Sequence, residues 1–205
     1  MKRFFLNLII AVSAVLIAFT SCKKDNDDKS AYIVSGKIVS SLGTYEDWTD
    51  VSVSFDEGQK WAATTKILNG GFSIKLPIPN EKDLEMLSYS IPDEIFLEDI
   101  NVKSREAKFY VRKGGQNGVL ESSVRYIYVD KGVYVVGTYE QPKVEGIIRP
   151  TLVYELVLRK GWNRIVYYSE NTTPPHSILN IKTDDRVENP SALQDIIWIA
   201  YGFPE

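Results

Sequence analysis

The sequence predicts an all-β fold, an antiparallel β-sandwich with at most one or two short helices. From residue 31 onward, apolar residues recur at every second position, the period of a half-buried strand. Turn-forming clusters interrupt that pattern at intervals of about 8–12 residues, the spacing of sandwiches and barrels. Twelve tyrosines, together with frequent valine and isoleucine, supply side chains that fit a pleated surface.

In chain order, strands are expected at Tyr32–Ser40, Val51–Phe55, Gly71–Leu76, Lys108–Arg112, Val124–Val129, Val133–Tyr139, Leu152–Leu158 and Arg164–Tyr168. The stretches WAATTKI (61–67) and SILNIK (177–182) are expected to add two more. Turns are expected at Asp56–Gly58, Asn69–Gly71, Asp130–Gly132 and Lys160–Asn163. Two hairpins stand out. Gly132 offers the left-handed residue of a three-residue loop between the fifth and sixth strands, and Gly161 does the same between the seventh and eighth. Helix is confined to one or two turns in Asn80–Ser88, after Pro79, and a short helix at 189–196 with Pro190 in its first turn and Asn189 as its cap. One compact domain over residues 31–205 is expected, with a division near residues 98–103 as the alternative.

The N-terminus reads separately. Lys2 and Arg3 precede an apolar run from Phe4 to Phe19, and small residues Thr20 and Ser21 lead to Cys22, the only cysteine. This is the order of a secretory signal, and the run is shorter than the ~20 apolar residues of a spanning helix. With a cysteine at the cleavage point, residues 1–21 resemble the signal of bacterial lipoproteins, although Phe19 stands where their lipobox more often has leucine. The resemblance implies lipidation of Cys22, a membrane partner through that lipid, and an outer-membrane location. Residues 22–30 are polar throughout and are expected to be a flexible tether. Asp25, Asp27 and Asp28 look like the acidic tag of surface-exported lipoproteins, which implies the cell surface; the periplasmic face is the alternative.

Two further resemblances concern the folded part. Gly36, Ile38, Val51, Val53, Thr65, Gly71, Phe72, Ile74, Leu76 and Pro77 are similar to the transthyretin-like or carboxypeptidase-regulatory-like β-sandwich repeat, which implies an immunoglobulin- or transthyretin-like architecture. The stretches YIYVDKGVYVVGTY and LVLRKGWNRIVYY resemble the C-terminal half of a group of uncharacterised Gram-negative cell-envelope lipoproteins, which brings no activity with it.

The formal net charge is −3 and no basic stripe interleaves with aromatics, so nucleic acid is not an expected partner. His176, the only histidine, lies in a proline-rich loop without the companions of a zinc site or a catalytic triad. Asn171 fits a glycosylation sequon, whose machinery is not expected in a bacterial lipoprotein. The acidic clusters Glu46, Asp47, Asp50 and Asp184, Asp185 read as solvated turn residues; paired carboxylates of a small hydrolase and a calcium site are the weaker readings. No catalytic residue, metal or cofactor is expected. The aromatics Tyr45, Trp48 and Trp61 flank predicted strands beside polar residues and are the candidate ligand-binding side chains. Trp162 and Trp198 read as packing residues. The expected function is a non-catalytic binding or adhesion module of the cell envelope, with a glycan or an envelope protein as partner. The alternative is a structural subunit of an outer-membrane complex.

Overall fold

The computed structural model describes residues 32–40, 48–113, 116–142, 149–170, 177–184 and 196–201. Cys22, the acidic tether, Tyr45, Glu46, Asp47, Asn171, His176, Asp185 and residues 189–195 of the expected helix lie outside the described residues. Residues 31–205 form one compact unit, and every side chain assigned to either of its two apolar clusters lies within it, so the unit carries its own cores.

The described residues are mostly strand. In order these are β1 (Tyr32–Ser40), β2 (Asp50–Ser54), β3 (Trp61–Lys66), β4 (Gly71–Leu76), β5 (Glu85–Met86), β6 (Phe96–Leu97), β7 (Lys103–Lys113), β8 (Gln116–Glu121), β9 (Val124–Val129), β10 (Val133–Glu140), β11 (Thr151–Leu158), β12 (Gly161–Glu170), β13 (Ile178–Thr183) and β14 (Ile197–Tyr201). Among the described residues helix is limited to single 3₁₀ turns at Glu81–Asp83 and Leu87–Ser90. The all-β class therefore holds. Purely antiparallel pairing does not, because β1 runs parallel to β14 and β11 runs parallel to β13.

The strands form one hydrogen-bonded path, β4-β1-β14-β8-β7-β9-β12-β13-β11-β10-β6, with β2 and β5 on β7 and β3 on β2. The first half of the path lines one core with Val34 and Ile38 of β1, Val51 and Val53 of β2, Phe72 and Ile74 of β4, Phe109 and Val111 of β7, and Trp198 of β14. On each strand these core side chains lie an even number of positions apart, as a period of two requires. The two ends of this half, β3 and β4, are joined by a tight turn. Asn69 and Gly70 take positive φ (52° and 71°), and Leu68 and Gly71 exchange backbone hydrogen bonds of 2.9 and 3.0 Å, the left-handed pair that Asn-Gly favours.

The second half gathers Leu87, Val102, Val129, Val133, Leu156 and Ile165, among others, into a second core. β7 and β9 join the halves: Ala107 and Tyr126 face the first core, while Val102, just before β7, and Val129 face the second. A cut at 98–103 separates neither core, since Leu87 and Ile95 before it pack with Val129 and Leu156 after it.

Both expected hairpins are corrected. β9 pairs with β7 and β12, and β10 with β11 and β6, so the Asp-Lys-Gly loop is a corner between separated strands. Gly132 is not in the left-handed region, and Asp130 ties the corner to β7 by exchanging hydrogen bonds with the Lys103 backbone (3.0 Å from its own N–H, 2.9 Å to its carboxylate). Gly161 does adopt φ 103°, but β11 and β12 are separated by β13. That bend is held by Asn163, which accepts from Arg159 N–H at 2.8 Å and donates to Arg159 C=O at 2.7 Å. Turn chemistry sets where the chain bends; which strand it then meets depends on the apolar face it must bury.

Candidate functional site

Trp61 is aimed by an irregularity. The β2–β3 register runs from Asp50 opposite Lys66 to Val53 opposite Ala63, then shifts so that Trp61 faces Ser54. Straight alternation would have set Ala62 there and turned Trp61 toward the core side, which Ala63 occupies. The β-bulge re-aims the indole onto the outer face, a recurrent use of bulges.

There Trp61 meets Tyr110 edge to face, with centroids 5.4 Å apart and an interplanar angle of 62°, and the Arg112 guanidinium carbon lies 5.8 Å from its ring centroid. Both contacts are favourable for the electron-rich ring face. Ser52 and Ser54, opposite Tyr110 and Trp61 in the strand ladders, are fully buried although they belong to the outer side of β2. Their hydroxyls are satisfied locally: Ser52 bonds Thr64 at 2.9 Å, and Ser54 donates to Asp56 at 2.6 Å and accepts from Gly58 N–H at 2.9 Å. Gly58, at φ 85°, lets the turn fold under both rings. The row continues across the sheet, with Tyr110 opposite Val119 and Val119 opposite the exposed Tyr201.

Of the three sequence candidates, Trp61 alone is described on this face. Tyr45 lies outside the described residues. Trp48 is half-buried, lies against Gly118 and packs on the first core, so it serves the interior. Tyr110 was legible in Lys108–Arg112, where it falls between the inward Phe109 and Val111.

The acidic residues separate as well. Asp50 is only partly exposed at its strand start, and hydrogen bonds from Lys66 first, then Thr49, hold its carboxyl below the usual range. Asp184 corrects the expectation of a solvated turn. It pairs with Arg164 at 2.7 Å with side chains only 4% and 3% exposed. Its burial is compensated by that cation, and its backbone N–H bonds Arg164 C=O at 2.9 Å. Among the described residues no three His, Cys, Asp or Glu side chains gather as a metal site, and no helix is long and apolar enough to cross a membrane.

Two tyrosines feel this buried pair. Burial pushes the Tyr32 phenol up to about 12, opposed by Arg164 and reinforced by Asp184, and burial pushes Tyr126 higher still. A raised folded-state value favours the neutral phenol. The resulting stability is full below the ordinary value of about 10 and is lost as pH rises from there through about 12. In an alkaline titration followed by phenolate absorbance and circular dichroism, these two phenols are expected to ionise last and together with loss of the fold. Ionisation of every tyrosine in one step near the ordinary value, with the fold intact, contradicts this.

Comparison with family models, with curated proteins and with solved structures finds no match for this chain.

Proposed function

We propose that this chain is a lipid-anchored, non-catalytic binding module of the bacterial cell envelope, tethered at the outer membrane through Cys22 and presented at the cell surface. Its partner is a glycan that stacks on Trp61 and Tyr110. In this reading the strands around the first core are a sandwich-like unit of the immunoglobulin or transthyretin type, which the shared core supports. The observation that carries the proposal is the outward Trp61–Tyr110 pair with Arg112 beside it. Rigid aromatic faces offer large contact area at small entropic cost, and the adjoining guanidinium supplies hydrogen-bond donors to hydroxyl-rich ligands.

Affinity electrophoresis of residues 31–205 through gels containing defined polysaccharides tests this. One glycan is expected to retard the protein, and the double variant Trp61→Ala, Tyr110→Ala to lose about tenfold or more in affinity, the scale of truncating anchor aromatics. A variant as strongly retarded as the parent removes the aromatic face from the proposal.

A second reading, a structural subunit docking on an envelope protein, is favoured by one feature. Ile33, Val39, Ile197 and Ile199 are exposed on the outer face of β1 and β14, and clustered apolar exposure marks interaction surfaces. Crosslinking in intact cells that recovers only monomer would sink it.

A further inference from the structure

The second core is incompletely filled. Leu87, Ile91 and Ile95 pack over part of its sheet face, and beside them a cleft of about 420 Å³ stays open. Its floor is the inward face of β9, β12, β13 and β11, with Ile127, Ile165, Ile181 and Leu156 joined by the rings of Tyr154 and Tyr167. Tyr167, Ile181 and Tyr154 stand directly opposite one another across three adjacent strands, so the floor is continuous.

The mouth coincides with a gap in strand pairing. On one edge of β7, β2 ends with Ser54 opposite Lys108 and β5 begins with Glu85 opposite Ser104, leaving Arg105 to Ala107 without a partner strand there. Three cations line this opening, and each has its own carboxylate: Lys108 with Glu57 at 2.7 Å, Arg125 with Glu106 at 3.4 Å, and Arg105 with Glu85. Arg125 also lies 4.9 Å over the Tyr167 ring. The mouth is therefore polar without a spare charge. Burial raises both Tyr154 and Tyr167, which keeps their phenols neutral and able to donate.

Small-molecule sites are typically about 300–1,000 Å³, mostly apolar, with a few polar groups that orient the ligand. Protein interiors otherwise pack to crystal density, and unfilled apolar space destabilises in proportion to its volume. This cleft sets an apolar floor of core side chains beneath a polar mouth, so it suits an occupant that brings apolar surface to the floor and a polar group to its rim.

We propose that this cleft binds an uncharged amphipathic small molecule, with its hydrocarbon body on Ile127, Ile165 and Ile181 and a hydroxyl or carbonyl head toward Tyr154 and Tyr167. Charged heads are disfavoured because every cation at the mouth is already paired and an added carboxylate would be desolvated without compensation. The site is separate from the Trp61 face, so its failure leaves that reading untouched.

The test titrates residues 31–205, the unit that holds both cores, with diphenylhexatriene, an uncharged hydrocarbon fluorophore, and displaces it with decanol or decanoate. Saturable binding of one dye per chain is expected, with decanol displacing it at about tenfold lower concentration than decanoate. Ile127→Trp, which fills the floor, is expected to weaken the dye about tenfold. The paired changes Tyr134→Ser and Val136→Ser, on the exposed outer face of β10, are expected to leave it unchanged. Should Ile127→Trp fail to fold, the double variant Tyr154→Phe, Tyr167→Phe decides: it is expected to weaken decanol while sparing the dye, which has no polar head. Absence of saturable binding, loss of the dye in the β10 variant, or equal displacement by decanoate overturns the proposal.

Discussion

Asp184→Ala is expected to destabilise the fold by about 3–5 kcal/mol, the cost of leaving one member of a buried ion pair uncompensated. Arg164 is only 3% exposed, and its Nε and Nη1 atoms have no hydrogen-bond partner among the described residues, so the contact of Nη2 with Asp184 carries much of what holds the guanidinium in place. Tyr32 and Tyr126 lie close enough for their phenols to feel both charges, yet their own hydroxyls have no partner among the described residues, so neither takes over the carboxylate's role. Asp184→Asn keeps the shape and removes the charge, and is expected to fall between parent and alanine variant. Replacing both partners, Arg164→Leu with Asp184→Leu, is expected to recover most of the loss, because the desolvation cost disappears together with the attraction. Urea unfolding of the single and double variants measures this through the shift in midpoint at constant slope. An alanine variant within about 0.5 kcal/mol of the parent, the usual scale of a surface substitution, would show that the pair is solvated.

Trp198→Ala is expected to cost about 3–5 kcal/mol, a large share of the roughly 5–15 kcal/mol by which a domain is stable. The indole is 1% exposed and stands at the centre of an aromatic cluster. Phe109 lies 4.7 Å away and Phe72 5.4 Å away between centroids, and Tyr126 is stacked at 6.3 Å. It belongs to β14, which connects β1 to β8, so the cavity would open where the first half of the sheet is held together. Its fit also explains a glycine. At Gly36 an added methyl would run into the indole edge, so Gly36→Ala is expected to cost about 1–3 kcal/mol through overpacking, without removing any contact. Thermal and urea unfolding of the two variants check both values, and a Gly36→Ala variant as stable as the parent would mean that the indole has room to move.

The alternation in the sequence marked β1, β2, β4, β7 and β9 to β12 because the apolar residues of each recur on the face that meets a core. It passed over β8, whose Gln116 to Gly118 is polar or small, and β14, whose IIWIA run has apolar residues on both faces: Trp198 and Ala200 inward, Ile197 and Ile199 outward. The candidate site was legible in part for the same reason. Tyr110 follows from alternation, whereas Trp61 reaches its position only through a bulge, which needs the facing strand to be defined. The cleft was not legible, since its floor residues appear in sequence as ordinary core positions, and the open space arises from how the segment before β7 lies across them.

By itself the sequence determined the all-β class, the position of most strands, the turn at Asn69–Gly70 and, for the strands that alternate regularly, the side that faces inward. These are local properties, set by a period of two and by the backbone freedom of Asn and Gly. The tertiary structure alone decided that β9 and β10 part company, that β1 and β14 run parallel, that Asp184 is buried on Arg164, and that the second core keeps a cleft. Strand partners are chosen by the apolar surface that pairing buries between residues far apart in the chain, and strands with the same period offer several acceptable registers until the whole sheet is assembled.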